Sequence, residues 1–156
     1  MALLAAALLV LGALIPRWWS GEKGDGEWGI GLRSFELCLG DVCRSRGLQG
    51  LGGGSEAWPM LGSLGGAGGV AAAVFLALAA LAVLVGHRTR WPGRLGRVAS
   101  GLSMIALVVG AGFAWTYPGF SGLGAGWAML AYLGGAALGV GSAGVLIAGG
   151  GARPAA

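Results

Sequence analysis

Four long stretches of this sequence, Ala2 to Ile15, Met60 to Val85, Val98 to Tyr117 and Ala125 to Ala148, contain no Asp, Glu, Lys, Arg or His. Proton relays, coupling-ion sites and carriers of charged substrates bury such a residue in the membrane. Their absence here argues against an energised transporter. Ionisable groups are scarce elsewhere too. There is one histidine, His87, and there are two cysteines, Cys38 and Cys43. A metal centre needs three or four ligands, and no Ser-His-Asp or paired-carboxylate arrangement can be assembled. Gly52-Gly53-Gly54-Ser55 is followed by no Lys-Ser/Thr pair, so it is not a phosphate loop. No catalytic residue, metal or cofactor is assigned.

What is abundant is apolar sequence. Hydrophobic residues make up 56% of the chain and charged residues 10%, against about 25% charged in a soluble domain. Apolar runs of about 20 residues mark membrane spans. The predicted fold class is therefore an all-α membrane protein, one domain over residues 1–156. Its plan is a four-transmembrane-helix bundle with a small extracytoplasmic β-hairpin or sheet in the first loop. The spans are expected at about 2–19, 60–85, 98–117 and 125–148. The first is read as an uncleaved helix, because no basic residue precedes it and Leu-Ile-Pro-Arg-Trp-Trp is a poor cleavage site. Trp18 and Trp19 would then lie at the headgroup level. Residues 20–26 read as a turn-rich loop, 47–54 contain a flexible glycine tether, and Trp91-Pro92-Gly93 reads as a turn.

The charges set an orientation. All six acidic residues fall between residues 17 and 58, beside five basic ones. The link 87–97 carries Arg88, Arg90, Arg94 and Arg97 and no acid. Positive charge near membrane ends stays in the cytoplasm. Both termini and the arginine link are thus expected inside, and the 17–58 loop outside. The net charge of +4 is on this reading a topology signal and not a nucleic-acid surface. Nine arginines to one lysine, with much Ala and Gly, point to a GC-rich genome and so to a bacterial inner membrane.

The outer segment holds the one chemically distinctive stretch, a hairpin over 27–46. If Gly40-Asp41 form a two-residue turn, Leu39 pairs with Val42 and Cys38 faces Cys43. That non-hydrogen-bonded pair lies within disulfide reach. Unpaired thiols, a metal half-site and a redox-active pair are the alternatives to a structural disulfide. Trp28, Ile30 and Leu32 alternate with Gly29 and Gly31, the period of a strand with one apolar face. Arg33, Glu36, Arg44 and Arg46 are expected to face water or each other. Trp28, Ile30, Leu32, Arg33, Phe35, Arg44 and Arg46 are the candidate partner-contact residues.

Four spans, inner termini and a large first outer loop resemble the plan of the claudins and the wider peripheral-myelin-protein superfamily. The family signature is a Trp, then Gly-Leu-Trp, then two cysteines paired on adjacent strands of a small sheet. The matching positions are Trp28 or Trp18/Trp19, Gly31-Leu32, Cys38 and Cys43. Arg33 stands in place of the signature's second Trp, and four residues separate the cysteines where the family has about twice as many. The resemblance implies a small outer sheet used for contacts.

Small residues recur at four-residue spacing, at Gly62 and Gly66 and at Gly135, Gly139 and Ala143. Such spacing lets helix backbones approach closely, either within one chain or between copies. These features together predict a non-enzymatic membrane protein, an adhesion module or accessory subunit. Its partners would be the lipid bilayer and a protein or second copy. The alternative function is a membrane thiol-disulfide oxidoreductase using Cys38 and Cys43.

Overall fold

A computed structural model of the chain describes residues 1–15, 17–23, 26–51, 56–85 and 91–150. His87, Arg88 and Arg90, residues 52–54 of the glycine tether and Arg153 lie outside the described residues. The order of elements is α1 (Ala2–Gly12), β1 (Trp19–Lys23), β2 (Gly26–Ile30), β3 (Ser34–Leu39), β4 (Val42–Gly47), α2 (Ala57–Leu84), α3 (Trp91–Trp115), β5 (Gly124–Ala125) and α4 (Trp127–Gly150). A single 3₁₀ turn, Leu48–Gly50, follows β4.

Three helices, Ala57–Leu84, Gly93–Trp115 and Trp127–Ala148, are long and apolar enough to cross a membrane. Their packing is the reverse of a soluble protein's. Ala72, Ala73, Ala79, Ala99, Ala106, Ala136 and Ala143 line the interior, while Leu64, Val74, Leu81, Ile105, Val108 and Leu130 are exposed. Small residues inside let the backbones approach, and large apolar ones outside suit a lipid surround. The helices pack in a ring, α1 on α2 and α4, α3 between α2 and α4.

The first helix corrects the expectation most. It covers 11 residues, about 16 Å at the α-helical rise, and ends at Gly12 instead of reaching Trp19. Trp18 and Trp19 do not face the surroundings of the helices; both are buried inside the protein. The Trp18 N–H donates to the Ile30 carbonyl at 2.7 Å, and its own carbonyl accepts from the Gly126 N–H at 2.6 Å. These bonds draw the chain out of helical geometry and into the sheet. The indole Nε1 of Trp18 then donates to Ala13 O at 3.1 Å, closing the end of α1.

Two further boundaries differ. Trp91-Pro92-Gly93 is the first turn of α3, where proline is tolerated because its missing N–H has no helical partner in any case. Likewise Pro59 lies in the first turn of α2. Within the expected tether, Leu48 is buried under the sheet.

The five strands form one antiparallel sheet in the order β4-β3-β2-β1-β5. The expected loop 20–26 is mostly β1, paired with β2 from Trp19↔Ile30 to Lys23↔Gly26. The expected hairpin 27–46 contains three strands instead of two, because β2 reverses into β3 at Gly31–Arg33. The β3–β4 hairpin is as anticipated, with Leu39 opposite Val42 and Cys38 opposite Cys43. Gly40 has φ +56, the positive value a II′ hairpin needs at its first turn position.

Candidate functional site: the antiparallel sheet

An aromatic cluster fastens the sheet to the helix ends. Trp19 stacks on Tyr117 with ring centroids 4.4 Å apart, and Trp58 stacks on Phe113 at 4.9 Å. Trp18 packs against Phe113 and Tyr132. The members come from the chain entering β1, the start of α2, the end of α3 and the start of α4, so the sheet sits at one end of the helical body. Burial raises the Tyr117 hydroxyl pKa above its ordinary value, and the hydroxyl donates to the Phe120 carbonyl oxygen at 3.3 Å.

Strand register sorts the sheet's side chains onto two faces. One face carries two cross-strand rows, Gly21–Trp28–Leu37–Arg44 and Trp19–Ile30–Phe35–Arg46. Beyond them, at the hairpin tip, Leu39 and Val42 are 59% and 62% exposed. Near the helices this face holds an open cleft of about 150 Å³ lined by Trp28, Ile30, Leu51, Phe120, Ser121 and Leu123. The Gly122 carbonyl lies directly over Gly21, in space that a Cβ would occupy. That contact sets the 120–123 loop as the cleft's wall.

The opposite face carries the disulfide. Cys38 and Cys43 are bonded, with Cα atoms 4.0 Å apart. Arg17, which sequence reading left out, organises this face. Its Nη2 and Nε donate to Glu36 Oε2 at 2.9 and 3.2 Å, its Nη1 meets Glu27 Oε1 at 3.1 Å, and Nη2 lies 3.7 Å from Cys38 Sγ. The bond to Glu36 is the main influence raising the guanidinium pKa, against a smaller lowering by desolvation. The Arg17 stem crosses the sheet over Gly29, where any Cβ would collide with it. Only the tertiary fold brings Arg17 to these strands, so local pattern carried no signal for it.

The predicted contact residues separate accordingly. Trp28 and Phe35 are half-buried, and Arg33, Arg44 and Arg46 are exposed. Ile30 and Leu32, each 1% exposed, belong to the core and are not available for contact. Leu32 packs into the space beside Gly62 and Gly65, and the Arg33 stem lies by Gly66. The second pair of predicted packing glycines works between helices. Gly135 receives Leu9 and Val10 of α1, and Gly139 receives Ser103 and Leu76. All four glycines named from the sequence thus accommodate neighbours within one chain. Glu36, Cys38 and Cys43 bring potential metal-ligand atoms within 4.8 Å of one another, but both thiols are committed to the disulfide.

These features define a class: a protein of apolar, membrane-length helices carrying a disulfide-closed antiparallel sheet. No known family model matches the chain, and no curated protein matches it significantly.

Proposed function

We propose that the chain is a non-enzymatic integral membrane protein of the bacterial inner membrane whose outer sheet contacts a partner, as an adhesion module or accessory subunit. The observation that carries this is the sheet's apolar face. Leu39 and Val42 project from a hairpin held rigid by the disulfide, next to a cleft floored by Trp28. An apolar patch kept in the open on an ordered frame marks a contact surface.

On this reading α2, α3 and α4 cross the bilayer, and α1, packed along α2 and α4, makes a shorter fourth passage. Both termini are cytoplasmic. Arg94 and Arg97 lie in the first two turns of α3, at the end remote from the sheet, which supports that orientation by the positive-inside rule. A small sheet with cysteines bonded on adjacent strands also agrees with what the claudin-like signature implies. A photoreactive residue at Val42 in living cells tests the contact: a discrete crosslinked protein band supports it, and lipid-only labelling refutes it.

A second reading, a thiol-disulfide exchanger, draws on Arg17 beside Cys38 and on the exposed Cys43. A guanidinium favours a thiolate, but the Glu36 carboxylate, bonded to the same Arg17 and within 4.8 Å of both sulfurs, opposes that effect. A pair that resists reduction by glutathione excludes this reading.

A further inference from the structure

We propose that the cleft face of the sheet receives an extended acidic segment of a partner protein, with one apolar side chain seated against Trp28 and carboxylates on Arg44 and Arg46. The inference rests on the reading of the sheet as a contact surface and specifies the partner's chemistry. Three observations carry it.

The first is register. Trp28, Leu37 and Arg44 form one cross-strand row, and Ile30, Phe35 and Arg46 the next, all on a single face. Strands lie about 4.8 Å apart, so the backbones at Trp28 and Arg44 are about 10 Å apart across β2, β3 and β4. An extended chain advances about 3.3 Å per residue. A segment crossing the strands therefore places an apolar anchor and an acidic residue about three positions apart.

The second is unanswered charge. The ion pairs among the described residues are those of Arg17 with Glu27 and Glu36, on the opposite face. Arg44 and Arg46 have no ion-pair partner among the described residues, and both are exposed on an edge strand. A second copy docking β4 against β4 would set these arginines against their own kind, which disfavours self-pairing. Carboxylates complement them.

The third is the cleft. At about 150 Å³, with Ser121 the one polar side chain among its lining residues, it suits a single aromatic or branched side chain; apolar cavities of about this size hold benzene. The competing account of Arg44 and Arg46 is that they guard an open sheet edge against aggregation. That account predicts no selectivity for acidic ligands.

The full chain in phosphatidylcholine nanodiscs, titrated against fluorescein-labelled peptides by anisotropy, decides between them. One peptide has a central Phe flanked by Glu; the other replaces each Glu by Lys. The acidic peptide is expected to bind at least tenfold more tightly. R44E/R46E should remove that preference, and S121W, which plugs the cleft from an exposed turn, should weaken binding at least tenfold. Equal binding of the two peptides, or binding insensitive to both variants, overturns the proposal. Arginines that respond only to phosphatidylglycerol added to the nanodiscs, or self-association abolished by S121W with no peptide bound, assign the face to lipid or to a second copy and also overturn it. If the Val42 photocrosslink to a protein survives in R44E/R46E cells, the contact reading stands and the acidic partner alone is rejected.

Discussion

Trp58 stacks on Phe113 with their planes 11° apart, and its indole Nε1 donates to the Phe113 carbonyl oxygen at 3.1 Å. One side chain thereby locks the start of α2 to the end of α3, directly beneath the sheet. Trp58→Phe keeps the ring and loses the bond, leaving a buried carbonyl without that partner; a cost of about 1–3 kcal/mol is expected. Trp58→Ala also opens a cavity and should cost about 3–5 kcal/mol. Unfolding of the full chain in detergent micelles, followed by circular dichroism, separates the two.

Gly139 and Ser103 are coupled. A Cβ at Gly139 would lie 2.6 Å from Ser103 Oγ and 3.1 Å from Leu76, and that hydroxyl is buried with no hydrogen-bond partner among the described residues. Gly139→Ala is expected to destabilise by about 1–3 kcal/mol through overpacking. In a Ser103→Ala background the same change should cost less, so a double-mutant cycle gives a non-zero interaction energy. Additive effects would show that the two residues do not meet.

Replacing both Cys38 and Cys43 by Ser should cost about 2 kcal/mol, the loop-entropy value for so short a closure. The loss belongs to the hairpin. Hydrogen exchange is expected to quicken across β3 and β4 while α2, α3 and α4 keep their protection. Uniform loss of protection would mean that the disulfide holds more of the fold than its position suggests.

Arg17→Ala strands Glu27 and Glu36 beside each other without their shared cation. Because the guanidinium is partly exposed, the expected cost is about 1 kcal/mol. Arg17→Lys should recover only part of it, since one ammonium cannot reproduce the forked contacts. Equal stability of wild type and the alanine variant would remove Arg17 from the account of the sheet.

Tyr117 gives a pH signature. Burial raises its pKa, so the folded state disfavours the phenolate. Its contribution is fully present below the ordinary tyrosine value of about 10 and falls as pH rises through the raised value. Tyr117→Phe should therefore be less stable than wild type near neutral pH, by about 1 kcal/mol for the lost hydrogen bond. That gap is expected to narrow above about pH 10. A constant gap from pH 7 to 11 would show the hydroxyl to be solvated.

Local chemistry made part of this legible in advance. Long runs without ionisable residues foretell α2, α3 and α4, because a spanning backbone must bond to itself. Gly40-Asp41 foretells the hairpin, because a two-residue turn leaves one register in which Cys38 meets Cys43. The strand over 20–23 was hidden: Ser-Gly-Glu-Lys has no apolar alternation, and it is a strand only through pairing with β2 and with the two residues of β5.

The sequence by itself determined where the chain is apolar, where its charges gather and the hairpin register that sets Cys38 opposite Cys43. Each follows from composition or from contacts within a few residues. The tertiary structure alone decided that Trp18 and Trp19 are core, that Ile30 and Leu32 are closed to partners, and that Arg17 serves the disulfide face while Arg44 and Arg46 share the cleft face. Those outcomes depend on which residues far apart in the chain come together. An apolar residue reads the same whether lipid, a partner or the protein's own helices cover it.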